Sequence, residues 1–296
     1  MIKRTLYFGN PAELRVKNKQ LRIIQEKGEK TTPIEDIGVV VLDHYGVTIS
    51  YSALKELADN NTSIITTNDS HMPAAMMLNL NGHSGQGETF RAQLSVSEPL
   101  KKQLWKQTIQ AKLKNQLLLL KQLGLPEKHI QNLVNKVQSG DAGNLEAQAA
   151  RYYWNNLFDP VQFKRYRQGK PPNNLLNYGY AILRAVISRS LSGSGLLPVI
   201  GIHHKSKYNP FPLADDIMEP YRPFVDEIVW NLAMNEYDIT ILTTDIKREL
   251  LTIPNLPVMM KNETRPLMIA ASHTTASLQK CFTREAKTIL FPKLCG

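Results

Sequence analysis

Two histidines and a row of acids lie close together in the segment HHKSKYNPFPLADDIMEPYRP, residues 203–223. His203 and His204 follow the apolar run LPVIGI, and Asp216 and Glu219 are three residues apart, which places both carboxylates on one face of a helix. Neutral imidazole and carboxylates together suit Mg²⁺ or Mn²⁺, hard ions that also accept an oxygen of a substrate phosphate. The segment therefore predicts a divalent-metal site that acts on a phosphate.

A structural role competes with this interpretation. A single histidine after an apolar run is more often a hydrogen-bonded core residue, and an acid near a helix start, such as Asp215, complements the helix dipole. Pro220 and Pro223 fit this alternative less well, because a proline inside a helix removes a backbone hydrogen bond. We expect one helix over residues 213–235, in which the shape of the chain around Glu219 matters more than helix stability.

A third carboxylate lies far upstream, at the start of the predicted helix LEAQAARYYWNNLF. Glu146 opens this helix, and Ala149, Ala150 and Tyr153 continue its face at spacings of three, four and seven. Small residues beside the glutamate allow another helix to approach and bring the carboxylate inward. The alternative is again an acid that favours the helix dipole.

These residues need a scaffold, and the pattern along the chain predicts an α+β fold. A small β-rich N-terminal domain over 1–80 precedes a loop-like linker at 81–92 and a larger all-α domain over 93–296. The linker, within NLNGHSGQGETF, lacks the Gly-Lys-Ser/Thr ending of a phosphate-binding loop. Strands are predicted for RTLYF, AELRVKN, QLRIIQE, IGVVVLD, VTIS and SIITTN, with a hairpin turn at NKQ.

Charge is distributed unevenly over the 296 residues, whose formal net charge is +10. Residues 1–90 carry nine Lys/Arg and ten Asp/Glu, whereas residues 91–296 carry 27 and 16. This predicts a polyanionic partner for the second part, with a solvated basic surface as the alternative. The start shows no secretory signal, no apolar run approaches membrane-spanning length, and the two cysteines form no CxxC pair. A cytoplasmic protein is expected.

Three segments, EAQAARYYWNNLF, LNYGYAIL and GIHHKSKYNPFPLADDIMEPYRPFVD, resemble the Cas1 family, the spacer-acquisition integrases of CRISPR systems. The start, RTLYFGNPAELRVKNKQLRI, resembles its type II members, subtype C. In that family a glutamate, a histidine and a second acid bind the divalent metal, and the matching catalytic positions here are Glu146, His204 and Glu219. His204 is preferred to His203 from its spacing to the acids that follow. Asp216 matches a further acidic position, as a metal ligand or as a neighbour of one.

The resemblance implies spacer acquisition in antiviral defence. The 3′-hydroxyl ends of short DNA fragments are joined to the border of a CRISPR repeat by transesterification, with Mg²⁺ or Mn²⁺ as the cofactor. The implied partners are double-stranded DNA, a second copy of the chain, the small Cas2 protein and other type II CRISPR proteins, with no membrane. The N-terminal domain would carry the dimer and partner contacts, and phosphate contacts are predicted for Arg151, Lys205, Lys207 and Arg222.

Two other functions stay open beside the integrase. The same site could admit water as the nucleophile and act as a metal-dependent, structure-selective DNA nuclease. Alternatively, the acids and the histidine could be structural, which would leave a non-catalytic DNA-binding scaffold.

Overall fold

The computed structural model of the chain describes residues 3–79, 82–158, 163–166, 168–235 and 237–295. Over these ranges the strands are β1 Arg4–Phe8, β2 Ala12–Lys17, β3 Gln20–Gln25, β4 Gly28–Pro33, β5 Ile37–Leu42, β6 Val47–Ile49, β7 Ser63–Thr67, β8 Pro73–Met77, β9 Pro257–Met260 and β10 Glu263–Pro266. The helices are α1 Tyr51–Asp59, α2 Gln86–Leu94, α3 Glu98–Gln122, α4 Lys128–Val134, α5 Leu145–Leu157, α6 Asn173–Gly193, α7 Pro212–Met218, α8 Arg222–Met234, α9 Thr244–Leu250 and α10 Leu267–Phe282.

Two four-stranded sheets form the N-terminal part, in the orders β4-β3-β2-β6 and β1-β5-β7-β8. The hairpin predicted at NKQ joins the antiparallel strands β2 and β3. Its two turn residues, Asn18 and Lys19, have φ of 51° and 58°, the left-handed pair that a two-residue type I′ hairpin turn requires. The predicted strands are therefore present, and two more, β4 and β8, accompany them.

Strand β5 connects the two halves of the molecule, because its alternate residues enter different hydrophobic clusters. Val40 packs with the residues of the N-terminal sheets, whereas Val39 and Val41 pack with the large cluster of the helices. Successive side chains of a strand point to opposite faces, so a continuous run such as IGVVVL fits a strand that is covered on both faces.

The fold class is confirmed: a β-rich N-terminal part precedes a larger helical part. The helical part also contains the hairpin β9–β10, whose strands were not predicted. The loop predicted through the linker is wrong over its second half, since residues 86–94 form α2. The predicted boundary between residues 80 and 81 lies outside the described residues, and the domain limits stay a prediction.

The single helix predicted over residues 213–235 is also wrong. The chain forms α7, a 3-10 turn at Glu219–Tyr221 and then α8. Pro220 lies in the turn and Pro223 in the first turn of α8, where a missing N–H costs no intrahelical hydrogen bond. The prolines thus break the helix at Glu219 instead of being tolerated within it.

None of the helices in the described ranges is long and apolar enough to cross a membrane.

Candidate metal and DNA site

Asp216 on α7 holds the histidine segment by four hydrogen bonds. Its Oδ2 accepts from the backbone N–H groups of Ile202, at 2.7 Å, and His203, at 2.9 Å. Its Oδ1 accepts from His204 N at 3.1 Å and from His204 Nδ1 at 2.6 Å. These bonds use about all the acceptor positions of a carboxylate. Asp216 therefore positions His204 and has little capacity left to bind a metal itself.

The hydrogen bond to Asp216 also sets the state of the His204 ring. A carboxylate only accepts, so Nδ1 carries the proton and Nε2 is left for another partner. A histidine ligand in metalloproteins commonly has its other nitrogen held by a carboxylate in this way. The hydrogen bond to Asp216 raises the pKa of His204, against the opposing effect of burial.

His203, the alternative candidate, has a different environment. Its ring stacks on Trp105 of α3, with the ring centroids 4.0 Å apart and the planes 3° from parallel. Burial lowers the pKa of His203 despite the nearby charge of Asp216. His203 therefore stacks on Trp105 while remaining partly exposed to solvent, and unlike His204 its ring has no hydrogen bond to Asp216 within the described residues.

The segment around the histidines is fixed from two further helices. Gln93 of α2 donates to the backbone oxygens of Leu197, at 2.9 Å, and Ile200, at 3.1 Å. On the other side, Arg184 of α6 donates two hydrogen bonds to Asp215, at 2.6 and 3.0 Å. The stretch predicted to be a linker thus supplies a helix that positions the site.

Glu146 lies at the start of α5, as the sequence predicted. Asp141 caps this helix by accepting from the N–H groups of Leu145, at 2.9 Å, and Glu146, at 3.0 Å. The side chain of Glu146 reaches Lys112 of α3, whose Nζ donates to Glu146 Oε1 at 2.6 Å. The neighbouring Ala149 is fully buried, in agreement with a close approach of packed helices.

Glu219 is buried in the 3-10 turn between two cations. Arg222 Nε donates to its Oε1 at 2.8 Å, and Lys112 Nζ lies 2.7 Å from its Oε2. The second contact is a close ion pair, and no further group in the described part of the chain donates to this buried oxygen. Burial alone would raise the pKa of Glu219, but Arg222 and Lys112 outweigh it and lower the pKa to about 2.

Lys112 therefore bridges the two predicted carboxylate ligands. Burial acts to lower its pKa, but the charges of Glu219 and Glu146 outweigh burial and raise it, so the ammonium stays charged. His204 is near enough for the charge of Glu219 to raise its pKa. However, no group of three His, Cys, Asp or Glu side chains among the described residues is close enough to hold a metal ion. The metal assignment of Glu146, His204 and Glu219 stays a prediction.

A cavity of about 290 Å³ opens beside this cluster. Tyr180 forms part of its wall, with the guanidinium groups of Arg222 and Arg165 at 4.4 and 5.3 Å from the ring centroid. Asp226 accepts hydrogen bonds from Tyr153 and Tyr180, and burial nevertheless raises its pKa to about 7. The lining residues are Lys112, Gln116, Ala150, Trp154, Arg165, Tyr180, Glu219, Arg222 and Asp226.

The four residues predicted to contact DNA have different environments. Arg151 is exposed and has no ion pair within the described ranges. Lys205 is exposed, 3.6 Å from Glu98, and Lys207 lies 5.0 Å from the ring of Tyr208. These three are available to a phosphate. Arg222 is instead engaged in a salt bridge with Glu219, which competes with the predicted phosphate contact.

Sequence reasoning missed the contribution of α3. Trp105 stacks on His203, Lys112 joins the two glutamates, and Asn115 donates to the backbone oxygen of Pro220 at 2.7 Å. With Thr108, these residues recur at spacings of three and four, which is a single helix face. The local sequence does not single out this face, because other polar residues of the same helix, such as Lys102 and Lys114, are exposed.

Comparison with known proteins gives the family. The family model described as CRISPR associated protein Cas1 matches residues 6–272. The chain belongs to the Cas1 family. A curated relative, the CRISPR-associated endonuclease Cas1 of Neisseria meningitidis serogroup C (strain 8013), is 34% identical over 99% of this chain and 97% of its own. The CRISPR-associated endonuclease Cas1 2 of Pyrobaculum aerophilum is 28% identical over 75% and 80%.

Two solved structures share the fold of this chain. A casposase bound to integration product has a TM-score of 0.77 and 19% identity, with 98% of this chain and 92% of that chain covered. The Cas1 protein of Thermotoga maritima has a TM-score of 0.75 and 16% identity, with 95% and 97% covered. Both support the two-part architecture of this Cas1 protein. The type II, subtype C assignment stays a prediction.

Proposed function

We propose that this Cas1 protein is a metal-dependent DNA integrase and endonuclease of CRISPR adaptation. It would join the 3′-hydroxyl ends of short DNA fragments to the border of a repeat. The observation that carries the proposal is the convergence of Glu146 and Glu219 on one buried cation, Lys112. This cluster lies in the part of the chain that holds the whole excess of positive charge.

The donor set supports Mg²⁺ or Mn²⁺ held by Glu146, His204 and Glu219. The ammonium of Lys112 already stands between the carboxylates, 2.6 Å from Glu146 Oε1 and 2.7 Å from Glu219 Oε2, and His204 is oriented with Nε2 available. Two carboxylates and an imidazole suit these ions, and no thiolate is present to favour zinc. When bound, such an ion neutralises charge on the phosphate and favours deprotonation of the attacking hydroxyl.

The protein's own residues orient the side chains of the site and bind the DNA. Asp216 keeps the His204 ring in one orientation, and Arg222 fixes Glu219. Arg151, Lys205 and Lys207 would contact DNA phosphates, with a salt-dependent contribution that does not read sequence. In the joining step, the bond from the 3′-oxygen to phosphorus forms as the phosphorus bond to the old 3′-oxygen breaks. One hydroxyl proton is lost and one is regained, so no nucleotide cofactor is needed.

Hydrolysis is the second candidate activity, because curated relatives carry the name endonuclease. Water in place of the 3′-hydroxyl would give cutting without joining.

The proposed assembly is a homodimer, because two repeat ends require two active sites. The dimer would bind Cas2 and act in the cytoplasm. A solved Cas6-RT-Cas1–Cas2 complex contains a chain that shares the fold, with a TM-score of 0.73. The match covers 97% of the present protein and 35% of the chain in the complex. Contacts through residues 1–80, and with other type II CRISPR proteins, belong to the same proposal.

A joining assay tests the function. The protein is incubated with its Cas2 partner, Mg²⁺ or Mn²⁺, a fragment with free 3′-hydroxyl ends and a supercoiled repeat plasmid. Covalent joining supports the integrase, cutting alone supports the nuclease, and bound but unchanged DNA supports the scaffold. Glu146→Gln, His204→Ala and Glu219→Gln should each abolish joining with DNA affinity retained, whereas the exposed Glu249→Gln should not. Near-normal joining by two of the three would overturn the site.

A further inference from the structure

Four charges in the site cancel one another. Lys112 and Arg222 carry one positive charge each, and Glu146 and Glu219 carry one negative charge each. Their side chains are largely withdrawn from water, with exposed fractions of 10%, 23%, 26% and 6% respectively. The protein without metal or DNA therefore contains a neutral cluster, in which Lys112 occupies the space between the two carboxylates.

A divalent cation would upset this neutrality. Added to the four charges, it leaves an excess of two positive charges in a site of low polarity, where like charges repel strongly. The phosphate of a bound DNA strand supplies one negative charge and so halves this excess. Without Lys112, the remaining three groups would carry a net negative charge and would attract the cation even in the absence of DNA.

A second acceptor for the Lys112 ammonium lies on the same face of α3. Gln116 lies one turn further along the same face of α3, and its Oε1 is buried without a hydrogen-bond partner in the described part of the chain. Gln116 and Lys112 line the same cavity of about 290 Å³. A lysine has a flexible four-carbon stem, so its ammonium can leave the carboxylates and donate to this unused acceptor.

We propose that Lys112 couples metal binding to DNA binding. The ammonium lies between Glu146 and Glu219 in the DNA-free protein and lowers its affinity for the divalent ion. When DNA brings a phosphate, the ammonium moves towards Gln116 and the ion binds. The proposal rests on the proposed metal site, and it concerns the residue that controls loading of that site.

The experiment measures Mn²⁺ affinity, not activity. Free Mn²⁺ is followed by electron paramagnetic resonance while the full chain is titrated, with and without a DNA duplex whose 3′ ends lack the hydroxyl. DNA should raise the Mn²⁺ affinity of the natural protein by about tenfold or more. Lys112→Met should bind Mn²⁺ about tenfold more tightly without DNA, and DNA should then add little.

Two further variants sharpen the test. Lys114→Met, an exposed lysine two residues away, should behave as the natural protein does. Gln116→Leu removes the second acceptor. With DNA present, it should weaken Mn²⁺ binding severalfold when Lys112 is present but not in the Lys112→Met background. Gln116→Leu on its own decides the matter if Lys112→Met does not fold.

Unchanged or weaker Mn²⁺ binding by DNA-free Lys112→Met would overturn the proposal. Unchanged Mn²⁺ binding by Gln116→Leu with DNA present would overturn it as well. A failure of the proposed function looks different. In that case Glu146→Gln binds Mn²⁺ as the natural protein does, or neither protein binds it.

Discussion

Two buried lysine–carboxylate clusters in this molecule differ in one respect that separates structure from function. In the first, Lys247 of α9 meets Asp43 at the end of β5, with Nζ 2.8 Å from Oδ2. In the second, Lys112 meets Glu146 and Glu219. Both lysines are nearly buried, with 7% and 10% of the side chain exposed.

The first cluster is complete. Besides the bond from Lys247, Asp43 accepts hydrogen bonds from Tyr7 at 2.5 Å, Thr67 at 2.6 Å and His71 at 2.8 Å. Four donors use about all the acceptor positions of the carboxylate. Because Asp43 and Lys247 come from the two halves of the chain, this cluster ties the N-terminal sheet to the helices.

The second cluster is incomplete. One lysine serves two carboxylates, and a cavity adjoins the group. The two glutamates therefore share a single lysine, whereas Asp43 alone has four donors. The comparison teaches that a satisfied ionic cluster holds the fold, whereas a partly satisfied one is the candidate for chemistry.

The largest expected effect is on stability, from Asp43→Asn. This change keeps the shape of the side chain but leaves Lys247 charged and buried without a counter-ion. We expect the free energy of unfolding to fall by about 3–5 kcal/mol, measured by urea denaturation. The exposed Asp245→Asn on the same helix as Lys247 serves as the control and should change little. A loss below about 1 kcal/mol would remove the contrast between the clusters.

Glu219→Gln should show the opposite profile. Lys112 keeps Glu146 as its partner and Arg222 keeps the ring of Tyr180, so the loss of stability should be only about 1–2 kcal/mol. If Glu219 holds the proposed ion, DNA joining should nevertheless fall by at least about 100-fold, because a metal ligand matters at least as much as its supporting neighbours. Denaturation and the joining assay on one preparation compare the two. A large loss of stability with retained joining would make Glu219 structural.

A smaller effect is expected from Asp216→Asn, which tests positioning. The amide can keep only part of the four-bond pattern and donates where a carboxylate accepts, so the His204 ring loses its fixed orientation. Mn²⁺ affinity should fall by about 10- to 100-fold while DNA affinity is retained. Isothermal titration with Mn²⁺ and with DNA separates the two. An unchanged Mn²⁺ affinity would mean that the ring is held by other contacts.

The pH dependence of stability should distinguish Asp226 from Asp43. Lys247 and the hydroxyl donors overcome burial and lower the pKa of Asp43 from 3.8 to about 2, so its contribution is lost as the pH falls towards 2. Burial raises the pKa of Asp226 from 3.8 to about 7, so its contribution is present below pH 3.8 and is lost as the pH rises through about 7. Thermal unfolding of Asp226→Asn should therefore lose less stability than the natural protein between acid and neutral pH. Parallel curves would contradict the assignment.

How much of this could be predicted differs between the two halves. The alternation in AELRVK and QLRIIQ and the Asn-Lys turn were enough for the first hairpin, because the signals are local. Strand β4, GEKTTP, was missed because it is mostly exposed and polar, and only its pairing with β3 makes it a strand. The break at Glu219 was missed although both prolines were seen, since a proline suits the first turn of a new helix as well as it damages an old one.

The site shows the same division. Glu146, His204 and Glu219 were predicted from their resemblance to a family. Asp216 was predicted from its spacing of three residues to Glu219 and from a further acidic position in that family. Lys112 was not found. A lysine on a long helix usually faces water, and its burial here depends on how α3 packs against α5 and the 3-10 turn. Local sequence contains no record of that packing.

The smallest expected effect is on DNA affinity, when one exposed lysine is neutralised in each half of the chain. Lys205 is 71% exposed and its contact with Glu98 is 3.6 Å long, so Lys205→Gln should leave stability unchanged. If Lys205 contacts a phosphate, DNA affinity should fall about equally for different sequences, and the slope of log affinity against log salt should decrease by about one. Lys27→Gln, an exposed lysine in the N-terminal part, should leave both quantities unchanged. Equal effects of the two changes would show that DNA responds to the overall charge of the protein, and the excess in residues 91–296 would then not mark a binding face.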